Sequence, residues 1–234
     1  MTESSIYKSY LYISENQFTL SIFNSENSEK VLEKIFVLED ALNHNKLDEL
    51  NLFLANNLYD IEKKIGSFIK EIFIIYDSKK FFSINISIKN NNYGEQINNS
   101  SLYRPLQIAS QECVNTLGKN KIVHMMINKY KIDDKEYSLL PKDLKCNYFS
   151  LDIKFICIPI EITKNLEILM KKFHISVKEI ISADYLRGFF TEKEKDLDIW
   201  ALRISNGFNE NEIRFNEKVM KNEGFFERFF NFFK

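Results

Sequence analysis

Glycine occurs only six times in 234 residues, and no two glycines are adjacent. That restricts any loop able to cradle a nucleotide phosphate, because backbone N–H groups approach phosphate oxygens closely only where no Cβ intervenes. Cysteine occurs three times, at Cys113, Cys146 and Cys157. This is too few for a disulfide framework, and a reducing cytoplasm is the simple expectation. No run approaches the roughly 18–20 uncharged apolar residues of a spanning helix. The opening MTESSIYKSY lacks the basic stretch and apolar run of a signal peptide, so none is expected. Neither sign of charge dominates: 32 Lys and Arg stand against 33 Asp and Glu. Nucleic acid is therefore not expected as a partner.

The chemistry-bearing residues are equally sparse. His44, His124 and His174 lie far apart, with no His or Cys pair at ligand spacing, so neither a metal nor a cofactor is expected. Asp133–Asp134 reads as a turn, and Asp196 with Asp198 reads as a solvated helix start. Neither pair has a basic or hydroxyl partner in a recognisable role. A non-catalytic protein is the expectation.

What is present is apolar material: 44% of the chain is hydrophobic and 14% aromatic. This excludes a disordered chain and suffices for a core. Short apolar runs at 9–15, 17–24 and 30–40 read as strands. The second alternates Phe18, Leu20 and Ile22 with Thr19 and Ser21, as a half-buried strand does. Residues 30–40 carry charges that would also suit a helix. Leu47, Leu50, Leu54, Leu58, Ile61 and Ile65 are spaced three or four apart and predict an amphipathic helix over 46–66. A buried strand follows at 71–77, giving the order β-β-β-α-β.

Residues 83–89 alternate and predict a strand; 90–101 is Asn-rich and reads as a loop. Arg104-Pro105 is expected to open a helix to Leu117. Long strands are expected at 121–131 and 147–158, then a helix over 162–173. At 177–182 strand and helix compete. Thr191 and Glu194 form a capping-box pattern that would start a helix through Trp200 and Ile204. Residues 206–222 read as a semi-flexible linker.

The clearest functional pattern is the last eleven residues, GFFERFFNFFK. Phe225, Phe226, Phe229, Phe230 and Phe233 recur at i, i+1, i+4, i+5 and i+8, which places them on one face of a helix. Phe232 lies on the flank. Glu227, Arg228, Asn231 and Lys234 take the other side. Such a segment is too short to span a bilayer but suits lying in the headgroup plane, with its rings at the acyl boundary. The competing reading is a terminal helix docked on the protein's own core or in a partner's groove. The polar stretch before it and its all-Phe composition favour lipid. The residues assigned to the membrane are therefore Phe225, Phe226, Phe229, Phe230, Phe232, Phe233, Arg228 and Lys234.

The order of elements and this tail together resemble FtsA, the actin-like membrane tether of the bacterial division ring. Three stretches carry the resemblance. Residues 9–77 are similar to the opening of an actin-like domain. Residues 81–182 look like the subdomain that FtsA-type proteins insert there, through Lys121–His124 (KIVH) leading to Tyr130–Asp133 (YKID), then Ile158–Leu169 (IPIEITKNLEIL) and His174–Ile180 (HISVKEI). The tail is similar to the family's amphipathic targeting helix, and Asp198–Gly207 (DIWALRISNG) is similar to the last helix of the actin-like fold. The resemblance implies an α/β fold with a mixed sheet of the actin-like, ribonuclease H-like type, an inserted α+β subdomain and a C-terminal amphipathic helix. Its segments would be 1–80 and 183–205 for the actin-like domain, 81–182 for the insert, 206–222 for the linker and 223–234 for the targeting helix.

The departures are as informative. The family's phosphate loop is an Asp-x-Gly-Ser/Thr turn between the first two strands. Here that turn is Tyr12–Asn16 (YISEN), without glycine and with Glu15 added. The chain also looks too short for the second actin-like half, which in the family closes over ATP and contacts the tubulin-like protein FtsZ. ATP binding is thus read as lost, and the basis for an FtsZ contact goes with it. The resemblance implies a membrane-tethered scaffold of the division machinery at the cytoplasmic face of the inner membrane. It would bind inner-membrane lipids through its tail, and other division proteins or copies of itself through the insert. The alternatives are an ATP-binding actin-like filament protein and a tether for another envelope machine, such as a pilus assembly platform.

Overall fold

The structure, a computed structural model, describes residues 6–38, 46–141 and 143–214. The described residues divide into two compact units, the first made of those up to Phe81 and Pro159–Phe208, the second of those within Phe82–Ile158 and Asn209–Arg214.

The first unit opens with β1 (Tyr7–Ile13) and β2 (Gln17–Asn24), an antiparallel hairpin with Leu11 opposite Leu20. β3 (Lys30–Val37) pairs antiparallel with β2. It is a strand and not the helix its charges would also allow. Lys30, Glu33 and Lys34 are exposed there on a sheet edge, where charge protects against unwanted pairing. α1 (Lys46–Ile65) follows, with Leu50, Phe53, Leu54, Leu58 and Ile61 buried as its spacing predicts. The Phe53 ring packs 6.1 Å from Phe18 and 5.8 Å from Phe36, which fixes α1 on that face of the sheet. β4 (Glu71–Tyr76) then crosses to the other side of β1 and pairs with it in parallel. On the opposite sheet face Tyr10 is fully buried and stacks on Phe73 at 5.0 Å.

The second unit begins with β5 (Phe82–Asn91), whose Ile84, Ile86 and Ile88 alternate toward the core. α2 (Asn99–Leu117) starts earlier than Arg104-Pro105 suggests. Asn98 accepts from Ser101 N–H at 3.1 Å while Ser101 Oγ accepts from Asn98 N–H at 3.3 Å, a reciprocal cap inside the Asn-rich stretch. β6 (Asn120–Ile132) and the short β7 (Lys135–Tyr137) form a hairpin across Asp133 and Asp134. Those two residues have φ of +41° and +70°, the left-handed geometry of a two-residue hairpin turn, which aspartate tolerates. β8 (Tyr148–Pro159) completes a sheet of order β5-β8-β6-β7. Its Phe149, Leu151, Ile153, Phe155 and Cys157 join Leu102, Leu106, Ala109 and Cys113 of α2 in one buried cluster.

The chain re-enters the first unit at Pro159, which corrects the expected end of the insert at residue 182. α3 (Ile160–Lys172) leads to β9 (Ser176–Ser182), and β9 pairs in parallel with β4 through buried Ile180 and Ile181. The first sheet therefore has the order β3-β2-β1-β4-β9. α4 (Ala183–Arg187) follows directly. The Thr191–Glu194 pattern forms its hydrogen bond, Glu194 N–H to Thr191 Oγ1 at 3.0 Å, but as a turn. α5 (Leu197–Ser205) starts after Asp196 and packs on β1 and β4, where Ser205 Oγ lies 2.6 Å from Tyr10 OH.

The linker reading of 206–222 is corrected over its first nine residues. Asn206 and Gly207 close α5, with Gly207 at φ +87°. Asn209–Arg214 is tied to β6 of the second unit: Ile127 N–H donates to Asn211 C=O at 3.0 Å and Ile213 N–H to Met125 C=O at 2.8 Å. Ile213, one of the few apolar residues of a largely polar stretch, is the anchor and is buried. Residues 215–222 and the targeting segment 223–234 lie outside the described residues.

Candidate functional site

The sheet of the first unit reverses direction at one place. From β1 the chain builds outward through β2 and β3, then returns to the other side of β1 for β4 and β9. In open α/β sheets the crevice beyond the strand carboxyl ends at such a reversal is where ligands bind. Here that place is formed by Ser14–Asn16 after β1, Asp77 after β4 and α4 after β9.

Asp77 is fixed at the end of β4 by its backbone, whose N–H donates to Ile13 C=O at 2.8 Å. Its carboxylate receives Arg187 from α4 in a two-point contact, Nη1 to Oδ1 at 3.1 Å and Nη2 to Oδ2. Tyr12 OH donates to the same Oδ2 at 2.9 Å. Arg187 Nη1 also reaches Asp184 Oδ1 at 2.6 Å. Burial raises the pKa of Asp77, but the Arg187 and Tyr12 hydrogen bonds outweigh it and hold the carboxyl below its ordinary value. Burial, followed by the bond to Asp77, pushes the Tyr12 phenol up. The bond to Asp77 moves Arg187 further above its ordinary range, with burial opposing.

The β1–β2 turn is likewise closed on itself. Ser14 N–H donates to Gln17 C=O at 3.0 Å, and Ser14 Oγ accepts from Gln17 N–H at 3.1 Å while lying 2.9 Å from Asn16 Oδ1. Glu15 is exposed at its tip. These residues do not fit a nucleotide phosphate. The Ser14 hydroxyl and the Asn16 side chain bond to each other within the turn, Asn16 C=O accepts from Leu38 N–H at 2.8 Å, and the guanidinium that would meet an anion is held by two carboxylates.

The other residues singled out in the sequence have structural surroundings. His124 is buried on β6, and its Nδ1 lies 2.8 Å from Glu212 Oε1, whose carboxylate is itself only 3% exposed. Glu212 Oε2 also accepts from Arg214 Nη2 at 3.4 Å. The pair secures Asn209–Arg214 on β6. His174 is exposed, at φ +60° just past α3, and His44 lies outside the described residues. All three cysteines are buried. Burial pushes the Cys157 thiol up to about 12, with Cys113 beside it adding to the shift. Such a thiol carries almost no nucleophilic thiolate at neutral pH. Trp200 sits in an aromatic cluster with Phe189 and Phe208, and its Nε1–H donates to Glu194 C=O at 3.2 Å. No described helix is long and apolar enough to cross a membrane.

The structure thus brings together Tyr12, Asp77, Asp184 and Arg187, of which sequence reasoning singled out only the turn that begins at Tyr12. The one signal for the rest was an aspartate closing a buried strand. The membrane residues Phe225, Phe226, Arg228, Phe229, Phe230, Phe232, Phe233 and Lys234 lie outside the described residues.

No protein-family model matches the chain, and no curated protein matches it. Solved structures do. One is a protein of actin-like ATPase fold and unknown function from Bacteroides thetaiotaomicron, 16% identical, with 80% of this chain and 57% of that chain covered and a TM-score of 0.36. Another is the cytoplasmic domain of EpsL, an inner-membrane component of the type II secretion system of Vibrio cholerae, 7% identical, with 77% and 58% covered and a TM-score of 0.37. A third is a PilM–PilN type IV pilus biogenesis complex, 6% identical, with 76% and 48% covered and a TM-score of 0.48. The chain spans between 48% and 58% of the lengths of these structures.

Proposed function

We propose that the protein is a non-catalytic adaptor. In this reading it rests on the cytoplasmic face of a bacterial inner membrane through its Phe-rich C-terminal segment. It presents its second unit to a protein partner in an envelope assembly of the pilus or secretion kind. The observation that carries the reading is the phenylalanine pattern of 225–233, a continuous apolar face with charge opposite. The filled switch point supports the non-catalytic half, since Asp77 and Arg187 neutralise each other where a ligand would sit. The names of EpsL and of the PilM–PilN complex supply the setting proposed.

In this mechanism the tail holds the chain in the headgroup plane. Asn209–Arg214, the last described residues, are pinned to β6 by Ile213 and by the His124–Glu212 pair. The second reading is a scaffold of the division ring, favoured by the order of elements that resembles FtsA.

The non-catalytic half is tested by calorimetric titration with MgATP. The wild-type protein is expected to give no saturable heat up to millimolar nucleotide. Micromolar binding would instead mark an ATP-dependent actin-like protein.

A further inference from the structure

We propose that the switch point of the first unit is a self-occupied anion site, in which the Asp77 carboxylate takes the place of an inorganic oxyanion on Arg187 and Tyr12. Three observations converge on it. The place is where the topology puts a ligand site in an open α/β sheet, beyond the carboxyl ends of β1 and β4. The Arg187 guanidinium meets Asp77 through two nitrogens and two oxygens, the two-point contact that arginine makes equally well with carboxylate and phosphate. The Tyr12 hydroxyl, fixed on β1, supplies a third donor to the same carboxylate. A planar oxyanion bound by two guanidinium nitrogens and a phenol is the coordination an external anion would receive. Here the oxyanion is covalently part of β4.

The arrangement has a functional consequence. Because the anion is tethered, it meets Arg187 intramolecularly, at an effective concentration with which a free phosphate must compete. The first unit therefore holds α4 against the end of β4 whether or not a ligand is present. The tie between α4 and the end of β4 is made by the protein's own side chains. Asp184, which shares Arg187 Nη1 with Asp77, adds a second carboxylate and further disfavours an incoming anion.

The test removes the tethered charge and offers a free one. Asp77→Asn keeps the size of the side chain, and the full-length protein is compared by thermal unfolding in potassium phosphate and in potassium chloride of equal ionic strength. The wild type is expected to melt alike in both salts. Asp77→Asn is expected to be stabilised specifically by phosphate, with an apparent affinity at least about ten-fold above the wild type. Asp77→Asn/Arg187→Gln is expected to lose that response. Far-UV circular dichroism at low temperature confirms that each variant is folded. If Asp77→Asn fails, Asp77→Ser provides the same comparison. Equal phosphate response in the wild type and the Asp77 variants, or a response that survives loss of Arg187, overturns the proposal. Either outcome leaves membrane binding untouched, whereas MgATP binding by the wild type would overturn the adaptor reading instead.

Discussion

Removal of Gly224–Lys234 is expected to abolish co-sedimentation with vesicles containing anionic lipid, and Phe229→Asp to remove most of it. Burying one Phe side chain contributes about 1.5–3 kcal/mol. Five on one face give a gross gain on the order of 10 kcal/mol. Partial immersion at the interface and the entropy of ordering a terminal segment reduce this to reversible binding. Phe229 is central in the pattern, so a carboxylate there breaks the apolar face and sets a negative charge against the lipid headgroups. From Lys218 onward four cationic side chains stand against two acidic ones. Anionic lipid and low salt should therefore strengthen binding modestly. Phe232, on the flank, should tolerate Phe232→Ser better than Phe229 tolerates the same change. A truncated protein that sediments as fully as the intact chain would show that lipid contact lies elsewhere.

The second large effect concerns the body that the tail would carry. Phe149→Ala is expected to destabilise the second unit by about 3–5 kcal/mol. Phe149 is fully buried on β8, and the cluster around it is filled by α2, β5 and β6 side chains that cannot close over the void. Typical domains have only about 5–15 kcal/mol in total, so the urea midpoint should fall steeply. The same change at exposed Tyr93 should cost less than about 0.5 kcal/mol. A loss below about 1 kcal/mol at Phe149 would contradict the packing described here.

Much of the fold could be read from residue spacing. The three-and-four spacing from Leu47 to Ile65 has one physical solution, a helix with a buried face, and α1 is that helix. The alternation of Ile84, Ile86 and Ile88 allows one face of β5 to meet α2. What spacing could not reveal depended on partners distant in sequence. Val177–Ser182 has too few residues for its period to decide between strand and helix; it is a strand because β4 offers it a parallel neighbour more than a hundred positions earlier. The same pairing draws the chain back to the first unit at Pro159. The true start of α2 was hidden because asparagines both terminate structure and cap helices, and only the Asn98–Ser101 geometry distinguishes the two.

The candidate site was legible only in part. The missing glycine between β1 and β2 was visible, and it pointed to the right end of the sheet. The Asp77–Arg187 contact was not, because 110 positions separate the two residues and neither belongs to a motif. Ile213 likewise looked like a stray apolar residue in a linker until its partners on β6 were in place.

The most direct measurement is the position in living bacteria of a fluorescent fusion made with and without the last eleven residues. The intact fusion is expected to line the cell periphery, gathering in polar or scattered foci for a pilus or secretion assembly and in a mid-cell band for a division ring. The shortened fusion is expected to fill the cell evenly. Identical distributions of the two fusions would contradict tethering by the tail.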